Sequence, residues 1–246
     1  MNDLNDLETY DPNAYDRPSV AVDLVLMSVV DGALCALLMQ RDQPPARGLW
    51  ALPGGFVGID ESLDAAARRI MRDKARLDDA YLEQLYTFGA ADRDPRMRII
   101  SVAYFALMPV ETFVEALAAN PRLILAKVTL PDTCGAEAAL AATKSGPLKI
   151  AFDHAAILAH AISRLRGKLN YTPVAFALLP EYFTLRALQE VHEAILGTTL
   201  NKPAFRRRLL DSGWLRPTGE REQATSFRPA ELYRYEPMNR AANDPI

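Results

Sequence analysis

Only two cysteines, two tryptophans and three histidines occur among the 246 residues. Cys35 and Cys134 fit no metal-ligand spacing. Cys35 lies inside an apolar run and reads as a buried free thiol, so no disulfide is expected, in agreement with a reducing compartment. His154, His160 and His192 show no metal spacing either, and His192 lies beside the apolar face of its helix as a structural residue. The net charge is −3, so no basic field covers the whole molecule and any nucleic-acid binding must come from a local patch. No uninterrupted apolar run reaches the roughly 18 residues of a membrane span. The opening MNDLNDLETYDPNAYDRP is acidic and lacks the apolar centre of a signal peptide. These absences point to a cytoplasmic protein without a membrane partner.

Half of the residues are hydrophobic and 24% are charged, an ordinary balance for a globular chain long enough to bury a real core. Residues 1–18 read as a polar, mobile arm. From Ser19 the pattern is that of strands: VAVDLVLMSVV, then Asp31-Gly32, then ALCALLMQR, a hairpin signal. MRIISVAYFALMP is a further strand, and ESLDAAARRIMRDKA and VETFVEALAAN are helical. Past residue 150 the pattern changes to three helices followed by two short strand-like runs. DHAAILAHAISRLRGKL places Ile157, Leu158, Ala161, Ile162 and Leu165 on one stripe. TLRALQEVHEAILG has Thr184 as N-cap and Gly197 as its stop, and NKPAFRRRLLDSG has Asn201 as cap and Pro203 in its first turn. Helix, helix, helix, hairpin is the order of a winged helix. The expected division is an arm over 1–18, a mixed α and β domain over 19–150, a winged helix-turn-helix over 151–237 and a tail over 238–246.

The stretch LPGGFVGIDESLDAAARRIMRDKARL sets Gly55, Glu61, Arg69, Met71 and Leu77 at spacings that resemble the Nudix box, G-x5-E-x7-R-E-U-x-E-E-x-G-U with U aliphatic. In that family a loop precedes a helix whose glutamates hold magnesium against a pyrophosphate. The hard cation takes oxygen ligands, and residues at i, i+3 and i+4 share a helical face. Here those positions hold Ile70, Asp73 and Lys74, and the late glycine is Arg76. An ammonium repels a divalent cation, and Glu61 with Asp73 alone makes a poor cage. No catalytic residue and no metal site is therefore assigned, with Glu61 and Asp73 as the weak metal candidates. Glu61 and Arg69 read as a pair bracing the loop against the helix.

LWALPGGFV and YTFGAADRDPRMRIISVAYFAL resemble the Nudix enzymes that act on ADP-ribose. That likeness implies a pocket formed by the Gly54-Gly55 loop, with Arg93, Arg96 and Arg98 on pyrophosphate or ribose and Arg41 as a further contact. It also implies that Trp50, Phe56 and Tyr104 stack on adenine. Each aromatic reads equally as a core residue of the sheet, and Arg93 and Arg96 also read as solvated loop charges.

Between Asn201 and Arg216 stand five basic residues and one acid. A charge run is usually a solvated face, but this one follows a helix by a short turn and precedes a hairpin, the position of a recognition helix. The DNA-contacting candidates are Lys202, Arg206, Arg207 and Arg208 on the helix, Thr198, Thr199 and Asn201 at its start, and Arg216, Arg221 and Arg228 in the wing.

LLPEYFTLRALQEVHEAILG, FRRRLL and RPAELYRYEP resemble the Nudix-related transcriptional regulators of NAD metabolism, and with the box the resemblance covers roughly residues 19–237. It implies an α+β chain, a Nudix-like α/β/α sandwich with a mixed sheet followed by a winged helix-turn-helix. It further implies a homodimeric repressor of NAD synthesis or salvage genes that binds double-stranded, palindromic operator DNA and senses ADP-ribose or a related nucleotide as effector. No cofactor is required. Three alternatives stand beside it: a magnesium-dependent ADP-ribose or NAD pyrophosphatase using Glu61 and Asp73, a regulator of pentose catabolism genes, and an interaction module whose basic helix binds an acidic partner.

Overall fold

A computed structural model of the chain describes residues 11, 14–78, 80–131, 137–169, 171–222 and 229–237. The expected arm and tail, Cys134 and Arg228 lie wholly or mostly outside the described residues. The hairpin forms as its dipeptide dictates: β1 (Ser19–Val30) and β2 (Ala33–Gln40) are joined through Asp31 and Gly32, both at positive φ, 49° and 71°. That backbone twist matches the twist of the flanking strands.

β1 is the spine of a mixed sheet. It runs parallel to β6 (Ile99–Leu107), and its other edge is shared by β4 (Gly54–Phe56) along its first half and β2 along its second. β5 (Glu83–Phe88) flanks β6. β7 (Leu123–Thr129), β8 (Leu140–Thr143) and β9 (Gly146–Pro147) extend the β2 edge, and β3 (Trp50–Ala51) pairs with the end of β2.

Side-chain alternation along β1 and β6 builds a core on each face. Val22, Leu24, Leu26, Val102, Tyr104 and Ala106 point to one side. There they bury Ala66, Ala67 and Ile70 of α1 (Leu63–Ile70) and Phe113, which precedes the short α2 (Val114–Ala119). Val25, Met27, Ala103 and Phe105 point to the other side, onto Ile157, Leu158, Ile162 and Leu165 of α3 (His154–Lys168).

Two helices differ from the expected spans. α1 is capped by the Ser62 hydroxyl and gives way after Ile70 to a wider π-turn over Met71–Ala75, closed by Arg76 at φ 59°. The α2 segment opens as a 3₁₀ turn at Val110–Phe113. α3 also departs from the expected organisation. It lays its apolar stripe on the sheet as the second outer layer and also packs against the helix Leu185–Leu196, so it touches both parts of the molecule.

After α3 the chain makes a 3₁₀ turn at Val174–Leu178. α4 (Leu185–Leu196) follows, with Thr184 accepting from the Ala187 N–H and Gly197 closing it at φ 75°. α5 (Lys202–Asp211) packs Phe205 and Leu209 inward, beneath a hairpin of β10 (Leu215–Arg221) and β11 (Glu231–Tyr235). Phe176 stacks on Tyr235 at 4.7 Å, tying the turn to the hairpin.

Candidate functional site

A cleft of about 290 Å³ opens where the β4 loop, the end of the π-turn, the Arg93–Arg96 loop and the start of α3 meet. The Gly54-Gly55 loop runs tight against β1. A Cβ on Gly54 would lie 2.1 Å from Asp23 Oδ1 and 3.0 Å from the Val22 carbonyl oxygen, so only glycine fits there.

Asp23 anchors a buried polar network behind the loop. Its Oδ2 accepts from the Ser101 hydroxyl at 2.6 Å, and Arg93 Nη2 stands 3.5 Å away. Arg93 is itself buried and meets Asp153 with two bonds, 2.8 and 2.7 Å. His154 is buried, and its Nδ1 accepts from the Leu52 N–H at 2.9 Å. Nε2 thus carries the proton of the neutral ring and faces Asp23 Oδ1 at 3.7 Å. Burial holds the His154 pKa below its ordinary value.

At the mouth, Phe152 is held at φ 53°, an uncommon backbone for a bulky residue. The Arg41 guanidinium lies over its ring at 4.7 Å and the Arg96 guanidinium at 5.8 Å. Arg96 is locked to Asp94 by bonds of 2.9 and 2.7 Å and also approaches the exposed Phe56 ring at 5.8 Å. Arg41 donates to the carbonyls of Pro45 and Gln43.

The box residues do not make a magnesium cradle. Glu61 accepts from Arg69 Nε at 2.7 Å, from Arg69 Nη2 at 2.8 Å and from the Gly58 N–H at 3.0 Å. These donors hold its carboxyl down at about 2, and Arg69 also ties to the Phe56 carbonyl. This is the expected brace. Ile70 is fully buried, Asp73 points to solvent beside Arg72, and the Lys74 ammonium donates to the Gly54 carbonyl inside the cleft. Among the described residues no cluster of three acidic, histidine or cysteine ligands exists. A site with a lysine ammonium in its floor and its one box glutamate spent on an arginine does not fit a hard divalent cation.

Of the expected pocket residues, the structure brings Arg41, Gly54, Gly55, Phe56, Arg93 and Arg96 together. Three others are corrected. Tyr104 lies on the opposite face of the sheet, where its hydroxyl donates to Asp64 at 2.9 Å and burial pushes it up to about 12. Strand parity is the reason: Ser101 faces Asp23, so Tyr104, three residues on, faces away. Trp50 packs half-buried against the α3-side core, and Arg98 is exposed with its guanidinium on the Ala90 carbonyl, both outside the cleft lining. Asp23, Lys74, Phe152 and His154 also line the cleft, and Asp153 stands behind Arg93; no motif in the sequence points to these five as cleft residues. The lone acid within the apolar run VAVDLVLM was the available signal.

The second candidate face is α5. Arg206, Arg207 and Arg208 are exposed, with Lys202 and the two threonines before the helix. Asn201 spends its side-chain oxygen on the Ala204 N–H at 3.0 Å, so it is the cap of the helix. Arg208 lies over the Phe205 ring at 5.6 Å, Arg216 pairs with Glu236 at 2.9 Å, and Arg221 is exposed on the hairpin. Behind the face, His192 is buried edge-on to Phe205 at 5.0 Å with Nδ1 on the Leu188 carbonyl, a structural histidine as expected. Among the described residues no helix is long and apolar enough to cross a membrane.

Residues 17–122 match the NUDIX domain and residues 175–235 the NrtR DNA-binding winged helix domain. The chain is 39% identical over 231 residues to the ADPR responsive transcriptional repressor NtrR of Acinetobacter baylyi, covering 93% of this chain and 86% of that one. The crystal structure of Shewanella oneidensis NrtR complexed with a 27mer DNA superposes with a TM-score of 0.72 at 33% identity, covering 88% of this chain and 93% of the other. An ADP-ribose pyrophosphatase of Methanocaldococcus jannaschii is 33% identical over 99 residues, 40% of this chain and 55% of that enzyme.

Proposed function

The chain belongs to the NrtR family of Nudix-related transcriptional regulators, and from that premise we propose that it is a cytoplasmic repressor of NAD synthesis or salvage genes. It binds a palindromic operator as a homodimer through α5 and the β10–β11 hairpin, and it senses ADP-ribose in the cleft without hydrolysing it. One observation carries this reading: the likeness to an ADPR responsive repressor spans the cleft-bearing domain and the winged unit in the same order. The exposed Arg206–Arg208 run supports the DNA half, since arginine reads guanine edges and phosphates. Lys74 and the Glu61–Arg69 brace support binding over turnover.

ADP-ribose acts through different affinities for two placements of the winged helices, each of which must meet a half-site about one DNA turn from its partner. The test is a set of gel shifts on the upstream DNA of this gene and of NAD genes. Binding is expected to prefer one duplex over random sequence, to weaken steeply with salt and to be released by ADP-ribose. Arg207→Ala abolishes the preference and leaves ADP-ribose binding intact. Equal operator affinity with and without ADP-ribose removes the sensing half of the proposal. The partial likeness to a pyrophosphatase motivates one control: AMP and ribose 5-phosphate formed with magnesium, and lost in Glu61→Gln, would favour an enzyme instead.

A further inference from the structure

Five cations line or border the cleft: Arg41, Arg69, Lys74, Arg93 and Arg96. Three are neutralised by a carboxylate of their own, Arg69 by Glu61, Arg93 by Asp153 and Arg96 by Asp94. Among the described residues Arg41 and Lys74 form no ion pair; both are held by backbone carbonyls. A carbonyl satisfies an N–H donor without an ion pair, and the cleft carboxylates that act on these two cations, Asp23 on Lys74 and Asp94 on Arg41, are shared with Arg93 and Arg96. A half-buried charge without its own partner gains when an anion meets it.

The local backbone aims Lys74 inward. The i→i+5 turn at Met71–Ala75 advances each residue by less than an α-helical step. Asp73 is thereby carried away from the Ile70 face into solvent, while Lys74 stays on that face beside the loop. Its Nζ would lie 3.5 Å from a Cβ on Gly55, and Ile70 Cδ1 would lie 3.4 Å from the same point. The ammonium therefore stands directly under the glycine loop, above an apolar wall that offers a metal nothing.

We propose that Lys74 is a built-in counter-cation, which with Arg41 receives the pyrophosphate of the nucleotide in place of a metal, so that ligand binding needs no divalent ion. This rests on the reading of the cleft as an ADP-ribose site. The pyrophosphate of ADP-ribose carries one negative charge on each phosphate, and the two cations without an ion pair of their own match them. Burial already lowers the proton affinity of Lys74, a cost that a bound anion offsets.

Calorimetric titration of ADP-ribose into the full-length chain tests the proposal, in EDTA and in magnesium chloride. Wild-type affinity is expected to agree within about twofold between the two buffers. Lys74→Met is expected to weaken binding at least about tenfold, the loss of one charge-assisted hydrogen bond, while Lys74→Arg retains most of it. Wild-type binding that collapses on chelation overturns the proposal, as does Lys74→Met binding like the wild type while Arg41→Ala loses affinity. No ADP-ribose binding in either buffer overturns the functional reading along with it, whereas wild-type binding with an indifferent Lys74→Met overturns Lys74 alone. Should Lys74→Met fail to fold by its melting curve, the chelation comparison and Lys74→Arg decide.

Discussion

The Arg93 guanidinium meets the Asp153 carboxylate edge to edge, Nε to Oδ2 at 2.8 Å and Nη2 to Oδ1 at 2.7 Å, across sixty residues of sequence. Asp153 stands at the N-cap of α3 yet gives its helix no side-chain bond; the carboxylate is committed to the cleft instead. At the far end of the same helix, Arg166 Nε donates to the Ile195 carbonyl at 2.9 Å, in the last turn of α4. α3 is thus bonded to the cleft at one end and to the winged unit at the other.

Asp153→Asn removes one of the two charges facing a buried guanidinium and leaves Asp23 at 3.5 Å. The expected loss of stability is about 2–3 kcal/mol, below the usual cost of about 3–5 kcal/mol for a broken buried pair because Asp23 compensates in part and Asp153 is partly exposed. The urea midpoint measures it, and an unchanged midpoint contradicts the role given to this pair.

Gly54→Ala places a methyl 2.1 Å from Asp23 Oδ1 and at the limit of the Val22 carbonyl. The loop and β1 must part, with an expected cost of about 3 kcal/mol or more. Gly167→Ala is the control, since a Cβ there meets nothing within 4 Å and its helical position gains from alanine. Thermal melts of the two variants should move in opposite directions.

Arg76 closes the π-turn at φ 59° and ψ 38°, with its side chain in solvent. A non-glycine residue in that region costs about 1–2 kcal/mol, so Arg76→Gly is expected to stabilise the chain by about 0.5–1 kcal/mol after the added freedom of the unfolded glycine, about 0.4–1 kcal/mol, is subtracted. A fall in the melting temperature would contradict it.

Acid weakens this fold from two directions with one sign. Burial lowers the pKa of His154 and of His192, so the unfolded chain binds protons that the folded rings refuse. That share of stability is complete above about pH 6.5 and is lost as pH falls from there through each folded pKa. Glu61, held at about 2 by Arg69 and the Gly58 N–H, adds a share present above its ordinary value near 4.5 and lost between there and about 2. Urea midpoints that stay level between about pH 7.5 and 5.5 would contradict the histidine part.

Much of the fold was legible because its signals are local. Asp31-Gly32 makes the hairpin, Ser62, Thr184 and Asn201 each cap the helix that follows them, and Gly197 stops its helix at φ 75°. α3 was legible as a helix and not in its allegiance. An apolar stripe states that a helix must be covered, not by which surface, and the sheet and the winged unit were both candidates. In the cleft, Arg93 and Arg96 were legible through the resemblance of their segment to Nudix enzymes that act on ADP-ribose, since as loop charges alone they read equally as solvated. Asp23, Asp153 and His154 come from one strand and the start of a helix far along the chain, and no spacing links them. Tyr104 was misplaced although parity with Ser101 was there to be counted.

The linear chain, through turn dipeptides, caps and the altered box positions, settled which segments are helix or strand and that the magnesium ligands are replaced. Folding alone decided where the replacements point: the π-turn sends Asp73 to water and Lys74 under the glycine loop, and sheet parity sends Tyr104 to the far side. Local structure follows from bonds between near neighbours, which order along the chain fixes. The charge inside a cleft follows from which distant side chains converge there, and only packing fixes that.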